Sequence, residues 1–182
     1  VWTPGTLVPT KLGRARVHLG TIIPDASVLA LPEPSLPRLQ RRMERIGRNA
    51  QFLAEAISAH LADRPHGAVS HVVYPGLSSH SAAGWSGGRW FHGGFLVLAF
   101  KPGRQDVATY KKFLAAAIGE ARRSGVSLVG GTSFGFDVTR AYLTALHATK
   151  VTKPFLRISV GTETSDQMPA LARVLISAIE SL

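Results

Sequence analysis

From Leu36 onward, apolar residues return at three- and four-residue intervals: Leu36, Leu39, Met43, Ile46, Ala50, Leu53, Ile57 and Leu61. That spacing lines one face of an α-helix. Arg38, Arg41, Arg42, Arg45 and Arg48 fall mostly off the stripe. Ser35 can cap the start, and Pro37 sits in the first turn, where its missing N–H matters least. After Pro65-His66-Gly67, the β-branched run Val69-Ser70-His71-Val72-Val73-Tyr74 predicts a strand ended by Pro75-Gly76. Phe95-Leu96-Val97-Leu98-Ala99-Phe100 predicts a buried strand, with glycines before it and Lys101-Pro102-Gly103 after. Val107, Tyr110, Leu114, Ala117, Ile118 and Ala121 mark a second helix, closed by Gly125 at the position that favours a left-handed cap. Val126 to Val129 and Phe155 to Val160 predict two more short strands. A last helix starts near Thr164 or Ser165 and runs on Met168, Leu171, Leu175, Ile179 and Leu182, with Pro169 early enough to be tolerated. The order helix, strand, strand, helix, strand, strand, helix predicts an α+β fold: a small, largely antiparallel sheet with helices on one side.

The first 35 residues have a different character. Pro4, Pro9, Pro24, Pro32 and Pro34 punctuate a stretch with little periodicity. It predicts an extended arm, with one short helical stretch near Lys11–Leu19, ahead of a domain over residues 36–182. The chain opens Val1-Trp2-Thr3-Pro4 without methionine, so the expectation is a piece that begins inside something larger. No charged-then-apolar leader is present and the longest apolar runs fall far short of a membrane span, which points to the cytoplasm.

Composition changes this picture in two places. The absence of cysteine removes disulfides, zinc-thiolate sites and thiol nucleophiles together. The net charge of +10 raises the question of a phosphate-bearing or acidic partner. Eight basic residues against three acidic ones lie between Lys11 and Arg48, so a cationic helix face could follow a nucleic-acid backbone. No RNA-binding signature or pattern of stacking aromatics accompanies the charge, and a solvated helix face is the simpler reading.

Candidate chemistry is sparse. The seven histidines form no helical pair, and no carboxylates gather beside them at ligand spacing, so no metal site is expected. Gly130-Gly131-Thr132-Ser133-Phe134-Gly135-Phe136 follows a strand and could cradle an anion on successive N–H groups. It lacks both the Gly-Lys-Ser/Thr ending of a P-loop and the spacing of a dinucleotide fingerprint, so a tight turn is the simpler reading. In Leu156-Arg157-Ile158-Ser159-Val160-Gly161-Thr162-Glu163, strand alternation puts Arg157 and Ser159 on one face, with Leu156, Ile158 and Val160 on the other. A guanidinium within an apolar strand needs an anion, either a structural Asp or Glu or a ligand carboxylate held by its two-pronged fork. Spacing leaves both open.

Taken in order, these pieces carry a resemblance. Arg42-Met43-Glu44 … Asn49-Ala50, Val69 … Val72-Val73-Tyr74-Pro75-Gly76-Leu77 … Ser79-His80, Gly94-Phe95 … Phe100, Thr132-Ser133-Phe134-Gly135 and Leu156 to Glu163 resemble the carboxy-terminal part of the Cys/Met-metabolism family. These are the pyridoxal phosphate enzymes of transsulfuration: cystathionine γ-synthase, cystathionine γ- and β-lyases, methionine γ-lyase and the sulfhydrylases. The match runs over roughly residues 19–182. It implies the C-terminal α+β domain of a fold-type-I pyridoxal phosphate enzyme, acting on a sulfur-containing or activated amino acid by elimination or replacement at the β or γ carbon.

The resemblance also implies roles. Arg157 stands where the family's arginine grips the substrate α-carboxylate. Ser133 stands at the serine of the family's Ser-Leu-Gly-Gly turn, which here is Ser133-Phe134-Gly135-Phe136. The family's Schiff-base lysine lies in an upstream Ser-x-Thr-Lys segment that this chain lacks. Lys11 follows Pro9-Thr10 but lies too close to the Arg42-Met43-Glu44 helix to fill that place. The expectation is therefore a chain with substrate-binding but no catalytic residues, completed by an N-terminal cofactor domain or partner chain and forming a homo-oligomer. Two further readings stand beside it: a non-catalytic oligomerisation module derived from the family, and a basic nucleic-acid-binding domain.

Overall fold

The computed structural model describes residues 35–86, 88–89, 91–131, 137–144 and 153–182. The chain divides into two compact units, Val1–Arg38 and Leu39–Leu182, of which the second holds the sheet. The expected arm and the helical stretch near Lys11–Leu19 lie outside the described residues.

Helix α1 runs Ser35–Asp63, followed by strand β1, Val69–Val73, a short helical turn α2, Ala83–Ser86, and β2, Phe95–Phe100. Helix α3, Val107–Arg123, leads to β3, Val129–Gly130. Then come β4, Arg140–Thr144, β5, Phe155–Ser159, and α4, Met168–Glu180. The five strands form one sheet in the order β1-β2-β5-β4-β3. Every pairing is antiparallel except β3 with β4, which is parallel. The sheet is thus mixed but largely antiparallel, and the fold class expected from the sequence holds.

Alternation divides the sheet into two unlike faces. Leu96, Leu98, Phe100, Ala141, Leu143, Leu156 and Ile158 point to one side and join a single core with α1, α3 and α4. Burying a Leu or Ile side chain stabilises the fold by about 1.5–3 kcal/mol, so this face dominates the driving force. The opposite face carries Phe95, Tyr142, Arg157 and Ser159, which the strand register brings side by side. On β1, Val69 and Val72 are both buried despite their three-residue spacing, because a bulge between Val69 and His71 shifts the register.

Several sequence expectations need correction. The first turns of the α1 stripe are not core: Leu36 and Leu39 are exposed, and burial begins at Ile46. In α3, Phe113 rather than Leu114 is fully buried. The strand expected over Val126 to Val129 is displaced to Val129–Gly130, because the chain from Gly125 is still leaving the helix, where Val126 N–H donates to Ala121 O. The strand Arg140–Thr144 was not expected at all. The last helix begins at Met168, later than expected. Before it, Thr164 N–H donates to Gln167 Oε1 and Gln167 N–H to Thr164 O, closing a turn that delays the helix. Among the described residues, no helix is long and apolar enough to cross a membrane.

Candidate carboxylate-binding site on the second sheet face

The site is built around β5, the central strand. Arg157 is only 9% exposed, and its Nε donates to Ser159 Oγ at 3.2 Å, as the shared-face reading of the strand requires. Its neighbours on the flanking strands are aromatic. The guanidinium carbon lies 4.4 Å from the ring centre of Phe95 on β2 and 5.3 Å from that of Tyr142 on β4. Both distances fall within the range where a cation is attracted to a ring face. A desolvated guanidinium is costly unless it meets polar or π partners, and its partners here include the Ser159 hydroxyl and two aromatic rings.

Beside Arg157 opens a cavity of about 310 Å³, lined by Leu39, Arg42, Met43 and Ile46 of α1 together with Gly94, Phe95 and Ser159. Its wall is mostly apolar, and its polar lining residues are Arg42, Arg157 and Ser159. Gly94 lets α1 come close: a Cβ there would stand 2.7 Å from Ile46 Cγ2. Arg42 is held by Asp137, Nη1 to Oδ1 at 2.6 Å. The Arg42 hydrogen bond, then that from Thr162 Oγ1, hold the Asp137 carboxyl below the usual aspartate range.

A second set of contacts fixes this end of the sheet. Asn49, buried within α1, donates through Nδ2 to Gly161 O at 3.2 Å and to Glu163 O at 2.9 Å. Gly161 N–H donates to Thr139 Oγ1 at 3.0 Å, and Thr139 N–H donates to the Glu163 carboxylate. A Cβ on Gly161 would lie 2.5 Å from Asp137 O and 2.7 Å from Val138 C, so only glycine fits this crossing. The Val160-Gly161-Thr162-Glu163 segment is therefore a structural strap that ties α1, β4 and β5 together beside Arg157.

Tyr74-Pro75-Gly76-Leu77 is likewise structural. The Tyr74 side chain is fully buried, and its hydroxyl donates to Gly93 O at 3.2 Å. Burial, helped by the Glu55 charge, pushes the phenol up to about 12. Gln51 Nε2 donates to Gly76 O at 3.1 Å, which docks the turn on α1. Among the described residues no histidine lines the cavity: His80 Nδ1 accepts from Ala82 N–H at 3.0 Å, and His60 lies 3.7 Å from Glu180. Among the described residues, no three His, Asp or Glu side chains gather as a metal site.

Of the two site residues expected from the sequence, Arg157 lines the cavity, and Ser133 lies outside the described residues, as does most of its glycine-rich turn. Sequence reasoning passed over Phe95, Tyr142, Asp137 and Asn49. One signal was available for Tyr142: the alternation of Val138, Arg140 and Tyr142 with Thr139, Ala141 and Leu143 marks a two-faced strand.

No protein-family profile matches the chain. It is 28% identical over 179 residues to the bifunctional enzyme flvA of Aspergillus flavus, a match that takes in 97% of this chain and 20% of that protein. It thus spans about a fifth of the length of the curated relative it matches. Among solved structures, it is similar to the cystathionine γ-lyase of Lactobacillus plantarum, solved in complex with L-serine. There the TM-score is 0.59 at 18% identity, covering 94% of this chain and 43% of that one. It is also similar to CalE6, a methionine γ-lyase of Micromonospora echinospora, with a TM-score of 0.52 at 22% identity, covering 74% of this chain and 31% of that one. The chain has the fold of a portion of these fold-type-I pyridoxal phosphate enzymes.

Proposed function

We propose that these 182 residues are the substrate-carboxylate-binding, C-terminal portion of a pyridoxal phosphate-dependent enzyme of the transsulfuration type, acting on a sulfur-containing or activated amino acid. One observation carries the reading. Arg157, buried on the central strand of a sheet whose fold resembles that of such enzymes, lines a mostly apolar cavity. Bidentate pairing with a carboxylate is what an arginine fork does best.

In this reading Arg157 binds the α-carboxylate and fixes the orientation of the amino acid about its Cα. Ser133 is assigned beside the substrate. Leu39, Met43 and Ile46 keep water from the reacting end. Fixing a reactant in this way removes rotational freedom before the chemical step. Residues 1–35 are assigned as an arm to a cofactor-binding portion, and the assembly as a homo-oligomer.

The described residues do not fit pyridoxal phosphate itself. The cofactor needs a lysine amine and an anion cradle. Lys111, Lys112 and Lys153 are exposed, and the Lys101 ammonium donates to Pro65 O. None of these lines the cavity. The cofactor is therefore assigned to a part of the enzyme outside these residues, where it supplies the electron sink.

The test is to incubate the 182-residue chain with pyridoxal phosphate, reduce with borohydride, digest and map labelled peptides. No stoichiometric label is expected. Stoichiometric labelling of one lysine, Lys11 above all, would overturn the division of labour.

A further inference from the structure

Resting on the reading of Arg157 as the carboxylate-binding residue, we infer that Phe95 and Tyr142 are positioning residues: an aromatic clamp that holds the guanidinium for its ligand. Arginine carries long, flexible side-chain torsions, and ordering them on binding opposes association. In this site the ordering is done in advance. Tyr142 is paired directly with Arg157 across β4 and β5, and Phe95 sits diagonally to it, opposite Ser159, across β2 and β5. The guanidinium therefore has an aromatic ring from each flanking strand, at 4.4 and 5.3 Å, while Ser159 Oγ takes the Nε hydrogen.

The exposure of Phe95 supports a purpose other than core packing. It is 46% exposed, among the more exposed large apolar side chains of the domain, yet its ring is the nearer of the two to Arg157. Half-burying a phenylalanine gains only part of what full burial would. A ring face beneath a cation accounts for its place. Tyr142 differs: it is nearly buried, so its ring and its hydroxyl must be tested separately.

The experiment has two arms. In the 182-residue chain, arginine side-chain NMR reads the Arg157 Nε–H and δ-methylene protons. Ring currents and the Ser159 hydrogen bond should shift these signals from ordinary arginine positions and slow Nε–H exchange. Phe95→Leu and Tyr142→Leu should each return them toward ordinary positions, and Tyr142→Phe should leave them in place.

In the complete enzyme carrying this chain, Phe95→Leu and Tyr142→Leu should each raise KM about two- to fivefold, the effect of one ring–cation contact, with kcat little changed. Tyr142→Phe should match the parent, and Arg157→Lys should lose more than either leucine variant. If both leucine variants keep the parent KM while Arg157→Lys loses binding, the clamp is wrong and the carboxylate reading stands. If Arg157→Lys keeps the parent KM, the carboxylate reading itself fails. A leucine variant that merely melts earlier, with unchanged Arg157 resonances and KM, would make that ring structural and overturn its positioning role.

Discussion

Asn49 offers the sharpest test of how the site is held. It is a buried polar side chain on the core side of α1, and its Nδ2 serves two backbone carbonyls at once, Gly161 at 3.2 Å and Glu163 at 2.9 Å. Replacing it with alanine removes both donors and leaves two acceptors beside a small void. An acceptor stranded in this way costs about 1–3 kcal/mol, and water reaching one of them would offset part of the loss, so we expect a net destabilisation of about 2–4 kcal/mol. For a domain of this size that corresponds to a fall in melting temperature of about 5–15 °C. Urea unfolding followed by far-UV circular dichroism measures the change, with the slope checked for a shared transition. Asn49→Asp should be worse near neutral pH, because a carboxylate would face two carbonyl oxygens, and should recover partly in mild acid as the introduced carboxyl takes a proton. An Asn49→Ala protein within about 0.5 kcal/mol of the parent would refute the claim that this strap anchors α1 to β5.

Three further outcomes are expected from the same geometry. Gly161→Ala should cost about 1–3 kcal/mol or more by the same unfolding assay, because its Cβ would press on the Asp137–Val138 backbone, which has no room to yield. Tyr74, whose phenol is pushed up to about 12, binds a proton in the folded chain that the unfolded chain has already released above pH 10. Its contribution to stability is therefore full below pH 10 and lost as pH rises through about 12, a trend that Tyr74→Phe should remove from a stability–pH profile. Arg42→Gln should move the Asp137 carboxyl, followed by carboxyl NMR, back up toward the ordinary aspartate range. The pairing contributes above that range and fades as pH falls through the depressed value.

What the sequence disclosed depended on how local the determinant was. The part of α1 from Ile46 onward follows its three-four stripe, and β2 falls on its unbroken apolar run, because there a local pattern meets a core that buries it. The same stripe misled at Leu36 and Leu39, since periodicity does not say where a helix stops having a core to face. β4 was missed because Arg140, Ala141 and Leu143 carry weak strand preference, and pairing with β5 and β3 is what makes the segment extended. In the site, the shared face of Arg157 and Ser159 follows from strand alternation. The nearness of Phe95 and Tyr142 follows from the register of strands far apart in the chain, which alternation within one strand does not contain. Gly161 shows a related limit: its need for a missing Cβ comes from residues 137–138, brought against it only by the fold.

Whether Arg157 grips a substrate carboxylate is addressed directly by one substitution. Arg157→Lys keeps the charge and removes the planar fork. In the complete enzyme, kcat/KM for the amino-acid substrate and the melting temperature should be measured on the same preparation. A carboxylate-binding Arg157 predicts a fall in kcat/KM of about ten- to a hundredfold, the loss of one charge-assisted hydrogen bond, with melting temperature little changed. A lower melting temperature with normal kcat/KM in the folded fraction would contradict that role and make Arg157 a structural residue of the sheet.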